Sequence, residues 1–115
     1  MAVKIYHNPR CSKSRQTLQL LHDRGIEPEV IDYLTAPPST AELDRILKQL
    51  GREPRDLMRR KDGVYRELKL DDSTLDRAAL IRAMVENPIL IERPIVIAGC
   101  KAALGRPPED VLAIL

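Results

Sequence analysis

Residues 3–33 read VKIYHNPRCSKSRQTLQLLHDRGIEPEVIDY, and the order of apolar runs and breakers within them decides the fold. Val3 to Tyr6 is short and β-prone, and His7-Asn8-Pro9 favours a turn, so a strand runs into a loop. Ser12 to Arg24 is a good helix-forming stretch with Leu18 and Leu21 on one face, and Gly25 is a natural C-terminal stop. Val30, Ile31 and Tyr33 supply a second short strand. The segment is therefore a βαβ unit, with parallel strands and a right-handed crossover. Cys11 falls at the N-terminus of its helix.

Outward from this unit, Pro37-Pro38 breaks the chain, and Ser39 with Glu42 forms a capping box. Leu43, Ile46, Leu47 and Leu50 follow at helical spacing, and Gly51 ends that helix. Pro54 opens a short helix through Asp56, Leu57 and Met58, leading to Arg59-Arg60-Lys61 and a turn at Asp62-Gly63. Ser73 with Asp76 starts another helix, whose apolar positions include Leu75, Ile81, Met84 and Val85 and which ends before Pro88. Ile95 to Ala98 and Lys101 to Leu104 are strands separated by Gly99-Cys100, a pair suited to a type II′ hairpin. Pro107-Pro108-Glu109-Asp110 begins a terminal helix with Val111, Leu112, Ile114 and Leu115 on its apolar side. The order is α/β with the connectivity of a thioredoxin-like, glutaredoxin-like fold: a mixed sheet flanked by helices, with a helical insertion between the βαβ unit and the C-terminal β-hairpin plus helix. Residues 1–115 are expected to form a single domain.

The composition excludes several functions. Of 115 residues, 43% are hydrophobic and 31% charged, an ordinary balance for a soluble domain. The only aromatics are Tyr6, Tyr33 and Tyr65, too few for a base-stacking nucleic-acid module. A net charge of +2 arises from 19 basic and 17 acidic residues spread along the chain, without a basic stripe for phosphate backbones. No apolar run approaches membrane-spanning length, and the N-terminus lacks a signal-peptide core, so a cytoplasmic location without membrane attachment is expected. Two cysteines, Cys11 and Cys100, are too few for a disulfide scaffold and lack metal-ligand spacing. In a reducing cytosol both are free thiols.

A cysteine attacks only as its thiolate, and a helix N-terminus favours that anion through free N–H groups and the positive end of the helix dipole. His7, Arg10, Lys13 and Arg15 add cationic or donor groups, and Ser14 can donate a hydrogen bond to the sulfur. A polar, basic loop is a poor place to bury Cys11 as a mere hydrophobe. In Cys11-Ser12-Lys13-Ser14 the second position of a dithiol motif is serine, so any disulfide of Cys11 forms with another thiol. His22, on the body of the first helix, reads as a surface residue.

The run His7-Asn8-Pro9-Arg10-Cys11-Ser12-Lys13-Ser14-Arg15 resembles the active-site loop HNPxCxxSR of the glutathione- and glutaredoxin-coupled arsenate reductase family. Leu57-Met58-Arg59, Asn87 through Val96, and Gly105-Arg106-Pro107-Pro108-Glu109 resemble that family's later segments in the same order, and the likeness is nearest to its YfgD-like subgroup. The resemblance implies a Cys11 thiolate that attacks arsenate and three arginines, Arg59, Arg93 and Arg106, that hold the oxyanion. Guanidinium forks suit this, since they neutralise a tetrahedral oxyanion and bond several of its oxygens. It also implies glutathione as co-substrate, glutaredoxin as partner, no bound cofactor or metal, and a cis bond before Pro94 at the start of a strand. His7 and Ser14 are expected to modulate the thiolate.

Two other functions compete. A monothiol oxidoreductase acting on glutathionylated proteins would keep the reactive cysteine and change its target. An RNA-polymerase-binding regulator like the Spx proteins would share the fold, although those usually carry a CxxC switch that Ser14 replaces here. Cys100, in the predicted hairpin turn, has no evident reason to lie near Cys11 and is a minor candidate for a resolving thiol.

Overall fold

The computed structural model describes residues 2–115, in which the chain divides into two compact units: the segment ending at Ala36 together with Arg93–Leu115, and Pro37–Glu92. The first holds all four strands, β1 (Val3–His7), β2 (Glu29–Asp32), β3 (Ile95–Ala98) and β4 (Lys101–Leu104), in the order β2-β1-β3-β4. β1 and β2 are parallel across helix α1 (Ser12–Asp23), with Lys4 opposite Glu29 and His7 opposite Asp32. β3 runs antiparallel to both β1 and β4, pairing Tyr6 with Ile95 and Ile95 with Leu104. The fold is thus the α/β, thioredoxin-like mixed sheet that the element order implies.

Alternation along the strands decides what covers the sheet. Ile5 and Val96 face each other across β1 and β3, and both are fully buried with Leu21 of α1 and Val111. Val111 lies in the last element, Pro108–Ile114, so α1 and that element pack on the same sheet face. The expected terminal helix is present and is of the 3-10 type. Its seven residues begin at a proline, and so short a segment gains little from α-type bonding. Leu115, assigned to its apolar side, is exposed. The β3–β4 turn behaves as expected: Gly99 has φ 63° and Cys100 does not share that left-handed region, as a type II′ turn requires.

The unit Pro37–Glu92 is helical. Helix α2 (Thr40–Leu50) is closed at its start by the expected box, the Glu42 amide donating to Ser39 Oγ at 3.1 Å and the Ser39 amide to Glu42 Oε1 at 3.2 Å. Helix α4 (Arg77–Glu86) packs on α2, burying Leu80, Ile81 and Met84 along with Leu43, Ile46 and Leu47. Arg77 Nε reinforces the pair by donating to Asp44 Oδ1 at 2.8 Å. Pro54–Leu57 forms a 3-10 turn, and the next residue, Met58, bridges Ile91.

Several boundaries differ from expectation: β1 takes in His7, β2 ends at Asp32 ahead of Tyr33, and two more lie in the helical unit. The Asp62-Gly63 turn opens a short helix, α3 (Gly63–Glu67), because the Asp62 carboxylate accepts from the Val64 amide. Ser73 does not start a helix: Asp72 Oδ1 accepts from both the Thr74 amide and the Thr74 hydroxyl, fixing a turn there. Asp76 is the actual cap of α4, accepting from the Ala79 amide at 2.9 Å. Among these caps, Ser39→Ala is expected to cost about 1 kcal/mol. Urea unfolding should show a lower midpoint with an unchanged slope, and an unmoved midpoint would dismiss the box as a stabilising element.

Candidate active site

The loop between β1 and α1 is organised by Asn8. Its carbonyl accepts from the Cys11 amide at 3.0 Å, its Oδ1 accepts from the Arg10 amide at 3.0 Å, and its own amide donates to Ser14 Oγ at 3.3 Å. Arg15 Nη1 adds a bond to Pro9 O at 3.0 Å. With its polar groups satisfied internally, the loop folds tightly enough to leave Cys11 only 8% exposed. The expectation of a loop too polar to bury the cysteine is corrected here. Cys11 is buried, and the charges around it distinguish it from a core hydrophobe.

Those charges come from the opposite end of the chain. Ile95 pairs with Tyr6 and Leu104, which brings the lower end of the β3–β4 hairpin beside the end of β1 from which the cysteine loop departs. The Gly105 amide extends the ladder by donating to Pro94 O at 2.9 Å, so Arg93 and Arg106 emerge next to each other. Arg106 Nε donates to Arg93 O at 2.7 Å, and its Nη2 reaches Cys11 Sγ at 3.7 Å. The Arg93–Pro94 bond is cis, as expected, and so is Arg106–Pro107, at the proline pair that precedes the last helix.

Four groups decide the state of the thiol against its burial. Burial is the largest influence and opposes ionisation. The Ser14 amide, the Arg93 guanidinium, the Lys13 amide and the Arg106 guanidinium favour the thiolate, and together they hold the Cys11 pKa below the ordinary thiol value. Cys11 occupies the N-cap position without a closed side-chain capping bond, so the two amides act on sulfur as oriented dipoles. Ser14 acts on the sulfur through its backbone N–H rather than through its hydroxyl, whose oxygen accepts from the Asn8 amide.

His7 is 7% exposed, and burial pushes its pKa down, with Asp32 opposing and Arg15 assisting that fall. At neutral pH its imidazole is therefore uncharged and supplies no cation to the loop. Its Nδ1 is buried without a hydrogen-bond partner among the described residues. Asp32 escaped the sequence reading, although the parallel register of β1 and β2 puts it directly opposite His7. Asn8, noticed only as a turn former, proves to be the residue that closes the loop. Arg10 is exposed, and His22 is too, 3.8 Å from Glu27.

Arg59 belongs to the helical unit. There its amide donates to Leu90 O at 2.7 Å and its Nη1 lies 3.8 Å from Asp62 Oδ2. Cys100 sits beyond Ala98, which pairs with Val3 at the end of β1 remote from the loop. Four strand positions at about 3.3 Å each already exceed the Cα separation of a disulfide, so Cys100 cannot close one with Cys11 within this sheet. Among the described residues no cluster of three or more His, Cys, Asp or Glu could hold a metal ion. No helix there is long and apolar enough to cross a membrane.

Known proteins resemble this chain over almost its whole length. The ArsC family model matches residues 6–114. The uncharacterized protein YfgD of Escherichia coli (strain K12) is 60% identical over 98% of this chain and 96% of its own. An arsenate reductase of Neisseria meningitidis serogroup B is 54% identical over 98% of this chain and 97% of its own. The solved arsenate reductase from Vibrio cholerae superposes with a TM-score of 0.97 at 57% identity, covering 100% of this chain and 98% of that one. A cysteine loop, a sheet and an arginine pair built in this way, in a chain matched from end to end, make the protein a member of the ArsC family.

Proposed function

We propose that this protein reduces arsenate to arsenite at Cys11, with glutathione and glutaredoxin supplying the electrons. The observation that carries the reading is the Arg106 guanidinium 3.7 Å from the Cys11 sulfur, at a helix N-terminus that favours the thiolate. A bare thiolate and an arsenate anion repel. A guanidinium that touches the sulfur can also bond arsenate oxygens and hold both partners within reacting distance. The names of the similar proteins from Neisseria and Vibrio point to the same substrate.

In the proposed cycle the Cys11 thiolate forms a sulfur–arsenic bond as an arsenate oxygen leaves as water. Glutathione then attacks, and two electrons pass to arsenic as a Cys11–glutathione disulfide forms and arsenite departs. The sum is one arsenate and two thiols giving one arsenite, one disulfide and one water. Glutaredoxin regenerates Cys11 by thiol–disulfide exchange, favoured by the lack of a second cysteine in Cys11-Ser12-Lys13-Ser14. Arg93 and Arg106 hold the oxyanion, and Arg59 joins them by family resemblance. Neutral His7 orients the loop. The cycle needs no resident cofactor, and its thiols suit a cytoplasmic setting.

Arsenate-dependent NADPH oxidation in a mixture of the protein, glutathione, glutaredoxin and glutathione reductase tests this. Oxidation is expected only when every component is present. Rapid turnover of a glutathionylated peptide with none of arsenate would instead favour a monothiol oxidoreductase.

A further inference from the structure

Gly105 stands between the cysteine helix and the arginine hairpin, and its place there is a matter of space. Its backbone avoids the left-handed region, so no conformational demand selects glycine. A Cβ at this position would lie 2.5 Å from Thr17 Oγ1, 2.8 Å from Pro94 Cγ and 3.2 Å from Thr17 Cγ2. All three residues are buried, and Thr17 is fully so. Thr17 is anchored by its hydroxyl, which donates at 2.8 Å to the carbonyl of Lys13 in the first turn of α1.

We propose that Gly105 is a positioning residue: the notch left by its missing side chain seats Thr17 against Pro94 and thereby sets the distance between the Cys11 sulfur and the Arg106 guanidinium. Cys11 is the N-cap of α1, and Thr17 lies in the second turn of the same helix. A short helix moves as one body, so displacement at Thr17 is delivered to Cys11. On the other side, Gly105 bonds Pro94 O and is followed at once by Arg106, whose Nε is tied to Arg93 O. A methyl group in the notch pushes these two bodies apart. The sulfur contact, already at 3.7 Å, is the first to be lost.

The inference concerns ionisation of the thiol and holds whatever the thiolate attacks, so it can fail while the arsenate reading survives, and the reverse. The test is the pH midpoint of Cys11 alkylation by iodoacetamide in Gly105→Ala, Thr17→Ala and the double variant. All are made in a Cys100→Ser background so that only Cys11 reports. Overfilling the notch in G105A and emptying it in T17A are each expected to raise the midpoint. The double variant removes both Thr17 atoms that the new Cβ would strike, leaving only the approach to Pro94 Cγ, and is expected to return the midpoint toward the parent, a coupling opposite in sign to the single effects. If G105A fails to fold, a double variant closer to the parent than T17A carries the same meaning. Singles with the parent's midpoint, or a double variant as displaced as the singles combined, would overturn the proposal.

Discussion

Cys11→Ser is expected to lower arsenate-dependent NADPH oxidation to the level seen without the protein. The reaction needs an atom that bonds arsenic, then gives up that bond to a second sulfur and leaves as a disulfide. A serine oxygen does neither, and the Ser14 amide and the guanidiniums of Arg93 and Arg106 cannot bring an alkanol near ionisation at neutral pH. The fold should tolerate the change, because an oxygen replaces a larger sulfur at a site that is 8% exposed. One difference in stability has a defined sign. The folded thiol ionises below its unfolded value, so its stabilisation is complete above the unfolded pKa and is lost as pH falls through the folded one. The variant therefore loses stability mainly at alkaline pH. Cys100→Ser, altering an exposed turn at the remote end of the sheet, is expected to keep full turnover. Residual arsenate turnover in Cys11→Ser, or its loss in Cys100→Ser, would move the chemistry away from Cys11.

Local chemistry explains what could be read from the chain and what could not. Where a residue's role is settled by near neighbours, the reading was accurate: the Ser39–Glu42 box, the Gly99 turn and the cysteine at the head of α1 depend on contacts a few positions apart. Ser73 misled because Asp72 offered the Thr74 amide a tighter turn, a competition between neighbours that capping preferences alone do not rank. The burial of Cys11 and of His7 was not legible, since it depends on how the loop closes through Asn8 and on what packs over it. The Arg93–Arg106 pair came only through family resemblance. Its physical basis is the hairpin register, which makes neighbours of the two residues just outside β3 and β4 and lays them beside β1. The neutral state of His7 needed the opposing pulls of burial and Asp32, and only the structure supplies both.

Arg106→Lys is expected to reduce kcat/KM for arsenate by about tenfold to a hundredfold while leaving the fold intact. The arginine does two jobs at once: Nε is held by Arg93 O at 2.7 Å, and Nη2, on the same rigid plane, faces the sulfur at 3.7 Å. A lysine ammonium keeps the positive charge but has no second arm, so it can serve the carbonyl or the sulfur and arsenate, not both. Losing one hydrogen bond to a charged group costs about 1.5–3 kcal/mol. At about 1.4 kcal/mol per tenfold in rate, this gives the stated range. A charge at this position also helps hold the Cys11 thiol ionised, so Arg106→Lys should disturb the alkylation midpoint less than Arg106→Gln, which removes the charge. The two variants thus separate the fork from the charge. Equal kcat/KM in Arg106→Lys and the parent would show that a point charge suffices, and the arginine would lose its place as the oxyanion's forked ligand.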